Sequence, residues 1–194
     1  MMPKTIVFCA DGTWNGLSIK DAKTNDYTNV VKVFNNLSGA TTPESMNLKD
    51  EREKIATNTD GEVVQIAKYL NGVGDTGNKI RKIFQGATGE GVVERIVRGY
   101  TFISRHYVPG DQIVLLGFSR GAYTARALGG MISKAGLMSY SALGLDPSNA
   151  AHKEAAYKYG INAWAYYRQE RATKLAGAIT AWKSILRIGG KYKL

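Results

Sequence analysis

Gln112-Ile-Val-Leu-Leu-Gly117-Phe118-Ser119-Arg120-Gly121-Ala122-Tyr123-Thr124-Ala125-Arg126 is an apolar run, then G-x-S-x-G, then a run of helix formers. The unbroken series Ile113, Val114, Leu115 and Leu116 predicts a buried central strand of a parallel sheet. Ala122, Ala125, Ala127, Leu128 and Met131, with no proline among them, predict a helix. Ser119 therefore sits on a sharp strand-to-helix turn, with its Oγ clear of the backbone. Such a turn crowds the positions two before and two after the serine. Gly117 and Gly121 occupy them, and neither has a Cβ. The N–H of Arg120, at the start of the helix, points toward any oxyanion forming at the serine, and the helix dipole favours that charge.

A bare G-x-S-x-G is weak, and a Gly-Ser turn joins many strands to many helices. With the strand before and the helix after, the stretch reads as the nucleophile elbow of an α/β-hydrolase. The rest of the chain alternates accordingly. Thr5 to Ala10 reads as a strand, followed by the turn-rich loop Asp11–Gly16. Thr28 to Leu37 reads as a helix with Thr28 as N-cap. Ser38 to Gly61 is polar and reads as a long loop or lid-like insertion, with one helical turn near Asp50–Ile55. Val63 to Leu70 is a second strand, with Asn71–Asp75 as the loop at its end. Val93, Ile96, Val97, Tyr100, Ile103 and Tyr107 give one apolar helix face, and Val108–Asp111 is a turn. This order predicts a mostly parallel α/β sheet with helices on both faces. No strand is evident beyond the elbow helix, so the fold reads as truncated there.

At 194 residues the chain accommodates one domain with a sizeable core. A hydrophobic fraction of 44% and a mean hydropathy of -0.24 fit a soluble globular chain. Cys9 is the one cysteine, which excludes an intramolecular disulfide, and its apolar neighbours suggest a buried small side chain. No cleaved signal peptide is visible, and no apolar stretch is long enough to span a bilayer. The net charge is +10. From residue 151 onward nine Lys or Arg stand against two Glu, so this region carries +7 of that. We read residues 1–148 as the catalytic-type domain and 149–194 as a basic helical tail. In the tail Ala172, Leu175, Ile179, Trp182 and Leu186 recur at three- and four-residue spacing. Such a helix lies on a membrane surface or, more commonly, packs on its own domain or a partner. Its charge also permits nucleic-acid binding, the less favoured partner.

In doubly wound sheets ligands bind at the carboxyl ends of the strands. The Asp11–Gly16 loop, the Gly72–Asp75 loop with Gly74, and the elbow all fall there. An oxyanion hole needs a second N–H donor besides Arg120, and Gly12 and Thr13 are the best placed. Asp11 is expected to organise that loop by accepting N–H bonds. A catalytic or metal-binding role for Asp11 has little support, because the strand end offers a single carboxylate and no ligand cluster. Gly86–Gly91 has the spacing G-x-x-G-x-G, not the dinucleotide fingerprint, so no cofactor and no metal are expected. A helix start reached through glycines is still able to hold an anion such as a phosphate head group. A serine hydrolase needs an acid and a histidine later in the chain. Asp146, Glu154, Glu170 and His152 follow Ser119, but His152 comes only 33 positions later. His106 precedes the elbow strand. Both histidines read as ordinary surface residues, which leaves the triad incomplete.

Phe8–Asn15, Thr28-Asn29-Val30, Gly72-Val73-Gly74, Thr88–Gly91, Pro109-Gly110-Asp111 and Gly117–Arg126 occur in this order. The series resembles the α/β-hydrolase domain of type VI secretion lipase effectors over about residues 5–140. The resemblance implies a Ser-Asp-His hydrolase of phospholipid esters, with Ser119 as nucleophile and Asp11–Thr13 as a site loop. It also implies that the acid and histidine come from later strands, so that the chain matches the N-terminal half of the domain. Expected partners are a phospholipid or other ester, a membrane surface, and a complementing polypeptide carrying the rest of the triad. The expected place is the cytoplasm of a producing bacterium, or export without a cleaved signal. The rival readings are an inactive fragment or interaction protein, and a basic membrane or nucleic-acid binder.

Overall fold

The computed structural model describes residues 2–12, 27–46, 48, 50–72 and 90–169. Five strands and five helices follow one another as β1 (Thr5–Ala10), α1 (Asn29–Asn36), β2 (Ala40–Thr41), α2 (Pro43–Met46), β3 (Glu51–Thr57), β4 (Val63–Leu70), α3 (Glu90–His106), β5 (Gln112–Gly117), α4 (Arg120–Ala135) and α5 (Ala150–Arg168). The chain divides into two compact units, residues 1–95 with 108–126, and residues 96–107 with 127–194.

The first unit holds one sheet in the order β2-β3-β4-β1-β5. β1 pairs in parallel with both β4 and β5, whereas β3 runs antiparallel to β4 and β2 antiparallel to β3. The sheet is therefore mixed, which corrects the mostly parallel expectation. The cause lies in residues 38–61. Instead of a lid-like loop with a helical turn at 50–55, they form β2, α2 and β3 and turn back onto β4. Asn58 closes that turn, its Oδ1 accepting the N–H groups of Asp60 at 3.0 Å and Glu62 at 2.9 Å. On one face Lys68 of β4 lies between Glu51 and Glu53 of β3, at 2.9 Å from each. These opposed charges set the register of a strand that has no apolar alternation to set it.

A second correction concerns β5. Among the described strands it is the outer one, and Val114 is 37% exposed. β1 is the strand buried on both faces. Its odd residues Val7 and Cys9 join Ala67 and Tyr69 of β4 and Val30, Val31 and Phe34 of α1 in one core. Two-residue periodicity puts the four strand residues on one face, and α1 covers it. Phe34 and Tyr69 stack with ring centroids 5.3 Å apart. Full burial of a side chain like Phe34 contributes about 1.5–3 kcal/mol. Thr28 caps α1 as expected, its Oγ1 accepting the Val31 N–H at 3.2 Å. At the other end Lys54 donates to the carbonyls of Phe34, Asn35 and Leu37.

In the second unit Ile96, Val97, Tyr100, Phe102 and Ile103 are buried, as are Leu128, Met131, Leu137 and Met138. α5 passes close to the 96–107 segment, since a methyl at Gly160 would lie 2.7 Å from Val97 Cγ1. The expected helix from residue 152 onward is present to Arg168. The apolar series from Ala172 to Leu186 lies outside the described residues.

Candidate active site

Register brings the candidate residues together. Ala10 is level with Leu70 on one side and Gly117 on the other. The carboxyl ends of β1, β4 and β5 thus share one edge, and Asp11, Asn71 and Phe118-Ser119 leave from it. Thr13 and Gly74, also expected at this edge, lie outside the described residues.

Ser119 has φ +54° and is the one described non-glycine residue with positive φ. That backbone is costly for an L-residue, by about 1–2 kcal/mol. It is held by its surroundings on three sides. The Phe118 N–H donates to the Ala10 carbonyl at 3.1 Å, and the Phe118 carbonyl accepts from Gly121 at 2.8 Å. The Ser119 carbonyl accepts from Ala122 at 3.0 Å and so begins α4. A Cβ at Gly117 would lie 2.2 Å from the Gly121 oxygen, and one at Gly121 would lie 2.0 Å from the Ala10 oxygen. Both glycines are required by main chain that has no room to retreat. Ser119 itself is exposed, and Arg120 follows as the first residue of α4.

The loop after β1 meets this turn directly. A methyl at Gly12 would lie 3.0 Å from Ser119 Cβ and 2.8 Å from Phe118 Cδ1. Asp11 beneath it is 2% exposed. Its Oδ1 accepts the Gly12 N–H at 2.7 Å, and its Oδ2 accepts the hydroxyls of Thr28 at 2.8 Å and Tyr69 at 2.7 Å. Asp11 organises the loop as expected, but through one N–H and two hydroxyls. The expected oxyanion donor Gly12 has its N–H turned to this carboxylate. Burial pushes the Tyr69 phenol far above its ordinary value, and the bond to Asp11 and its charge raise it further. Tyr69 is therefore a permanent donor. Burial, then the Asp11 charge, push the Cys9 thiol up to about 12.

Sequence reasoning did not single out Thr28 and Tyr69 as site residues. Thr28 read as a helix cap, which it is, and Tyr69 only as part of the second strand. The parallel pairing of β1 with β4 brings the Tyr69 hydroxyl to Asp11, and the packing of α1 on that face brings the Thr28 hydroxyl. The two histidines lie in the second unit with local partners. His152 Nδ1 accepts the Asp146 N–H at 2.8 Å, and Arg105 Nε donates to His106 Nε2 at 3.0 Å. Among the described residues no group of three His, Cys, Asp or Glu is arranged to hold a metal ion.

The first unit is thus an α/β sheet with an exposed serine at the carboxyl edge of its strands, the edge at which such sheets bind ligands. The chain belongs to the T6SS phospholipase effector Tle1-like catalytic domain family, whose model matches residues 4–184. The match runs well past residue 140 and into the region read as a tail. An uncharacterized protein of Saccharomyces cerevisiae is 27% identical over 149 residues, which is 70% of this chain and 18% of that protein. The chain thus spans under a fifth of that curated relative. No solved structure matches.

Proposed function

We propose that the chain carries the nucleophile of a serine ester hydrolase acting on phospholipids, with Ser119 attacking the acyl ester. The observation that carries this reading is the positive φ of Ser119 between a strand end and a helix start, clamped by Gly117 and Gly121. This is the backbone a nucleophile elbow needs. Membership of a phospholipase effector family supports an ester of lipid origin. In this reading the Arg120 N–H is the first oxyanion donor. The engagement of Gly12 with Asp11 favours Thr13 as the second. The overall fold is then that of an α/β-hydrolase, with helices on both faces of the sheet.

The same proposal places the general base outside this chain, because His106 precedes the elbow strand and His152 follows Ser119 by only 33 positions, too early for a loop after a later strand. Serine without a base is a weak nucleophile. Fluorophosphonate labelling with mass-spectrometric site mapping tests both parts, using added imidazole as a surrogate base. We expect slow labelling at Ser119, acceleration by imidazole, and none in Ser119→Ala. No labelling with imidazole refutes the nucleophile. Fast labelling without it refutes the absent base.

A second reading, a partner-dependent domain, is favoured by one observation. Among the described strands the apolar β5 stands at one edge of the sheet, and such an edge is a template for another strand. A complementing polypeptide carrying the acid and histidine would bind there.

A further inference from the structure

We infer that Tyr69 and Thr28 are positioning residues of the serine site, acting through Asp11 to fix the Gly12 backbone against Ser119. The inference rests on the reading of Ser119 as nucleophile.

The geometry is a short relay. Both hydroxyls donate to the same carboxylate oxygen, Oδ2, at 2.7 and 2.8 Å. They come from different elements, β4 and the cap of α1, so the carboxylate is gripped from two directions. With Oδ2 held, Oδ1 has one orientation left and meets the Gly12 N–H at 2.7 Å. Gly12 in turn sits where a single methyl would touch Ser119 Cβ and Phe118. Asp11 is also tied to β4 by its own N–H, which donates to the Leu70 carbonyl at 3.0 Å. Its carbonyl lies under Gly121, where a Cβ would approach it to 2.8 Å. Asp11 therefore contacts both sides of the loop–serine junction, and its side chain is what Tyr69 and Thr28 control. A merely structural role would need only that the carboxylate be satisfied somewhere. Here two neutral donors and one amide converge on it, and charged acceptors make such bonds short and directional.

The consequence is coupling between a phenol in the core and the exposed serine. Without the Tyr69 hydroxyl, Thr28 alone holds Oδ2, and the carboxylate gains freedom about χ2 to release Gly12. The loop next to the nucleophile then samples more than one backbone geometry. A site needs its donors within a fraction of an ångström of the productive position, so this loosening reaches the reaction centre.

The test uses Tyr69→Phe, Thr28→Val and Thr28→Ser in the full chain. Tyr69→Phe keeps the core volume. Thr28→Ser keeps the hydroxyl and serves as the rescue variant. Amide NMR with hydrogen exchange reads Gly12 directly, and the amide and Cβ resonances of Ser119 read the coupling. We expect Tyr69→Phe and Thr28→Val to move the Gly12 amide proton upfield and speed its exchange by roughly tenfold. The Ser119 resonances should shift or broaden with it, while the amides of Val7 and Leu116 stay protected. Thr28→Ser should restore the wild-type pattern. Imidazole-assisted labelling at Ser119 should slow several-fold in the same two variants. Folded Tyr69→Phe and Thr28→Val proteins with unchanged Gly12 and Ser119 resonances would overturn the inference. A Gly12 change that leaves Ser119 untouched would overturn it as well. A wild-type chain that never labels refutes the nucleophile, while the resonances still decide the coupling.

Discussion

Replacing Gly121 by alanine tests whether the serine turn is as tightly keyed as its geometry implies. The added Cβ would lie 2.0 Å from the Ala10 oxygen and 2.5 Å from its carbon. Real Cβ contacts stay beyond 3.0 Å, so something must move by about 1 Å. The obstacle is main chain in β1, the strand paired on both sides, and the same carbonyl accepts the Phe118 N–H. Overpacking of this kind costs about 1–3 kcal/mol, and loss of that hydrogen bond adds about 1 kcal/mol. The expected destabilisation is about 2–4 kcal/mol. Gly61→Ala is the control, because that site has φ +79° and nothing within 4 Å. It suffers only backbone strain, about 1–2 kcal/mol. Urea unfolding followed by circular dichroism measures both. With a slope of about 2 kcal/mol/M, Gly121→Ala should lower the midpoint by roughly 1–2 M, and Gly61→Ala by less than about 1 M. A Gly121→Ala midpoint at or above that of Gly61→Ala would refute the steric reasoning, because strain without a clash would then be the larger effect.

The Lys4–Asp111 pair ties the start of β1 to the turn before β5, with the Lys4 N–H at 3.0 Å and the Val108 N–H at 2.8 Å also on Asp111. Burial alone would raise the Asp111 carboxyl, but the bonds from Lys4 and Val108 outweigh it and hold the group below its ordinary value. Its contribution is therefore full above about pH 4, the unfolded carboxylate range, and is lost as pH falls through the folded value. The melting temperature of Asp111→Asn should lie below wild type at pH 7 and converge with it in acid. A constant gap down to pH 2 would contradict this. Lys68→Met removes a buried cation from between Glu51 and Glu53, and thermal unfolding should show a loss of about 3–5 kcal/mol, as for other broken buried pairs. A loss below about 1 kcal/mol would mean that water already screens the cluster. Cys9, fully buried and titrating only near pH 12, should react with a disulfide reagent at pH 8 at least ~100-fold more slowly in the native protein than in urea. Comparable rates would show that β1 is not the closed centre of the sheet.

The elements with a simple period were legible in the sequence. β1, β4 and β5 have the bounds their apolar runs indicate, and Thr28 caps α1 as its type and place imply. β3 was not legible, because Glu51-Arg-Glu-Lys54 is charged on both faces and carries no two-residue apolar signal. Its partner is Lys68 on β4, and a single sequence does not show which carboxylates meet which lysine. The Asn58-Thr-Asp-Gly61 turn was the available signal, since that composition before an apolar strand suits a hairpin. The serine turn was legible because glycine spacing is a local steric requirement. The Asp11 cluster was only half legible, since three of its four members belong to separate elements. The engagement of the Gly12 N–H with the Asp11 carboxylate was not legible either, because it depends on a side-chain rotamer.

The mixed topology bears on where the rest of a catalytic apparatus could attach. On the β3 side the sheet ends in β2, two residues long, against the charged strand β3. A short edge next to a charged strand is a poor template for further pairing. On the other side β5 presents Ile113, Val114, Leu115 and Leu116, with Val114 exposed. Under the proposed partner-dependent reading, a new strand therefore adds beyond β5. If it adds in parallel and in register, its carboxyl end arrives level with Gly117, about 4.8 Å to the side. The residue that follows such a strand lies beside Ser119, where an acid or a base would be useful. A strand added beyond β2 would emerge five strand spacings from β5, roughly 24 Å away, and could not reach the serine directly. The proposal thus fixes both the edge and the direction of the complementing strand. Gln112 and Phe118 donate to β1, so the N–H groups of the alternate residues Ile113 and Leu115 face the outer edge. Proline at Ile113, which removes an edge N–H and keeps the pairing to β1, should block complementation without abolishing imidazole-assisted labelling. Complementation that survives Ile113→Pro in a folded chain would exclude this edge.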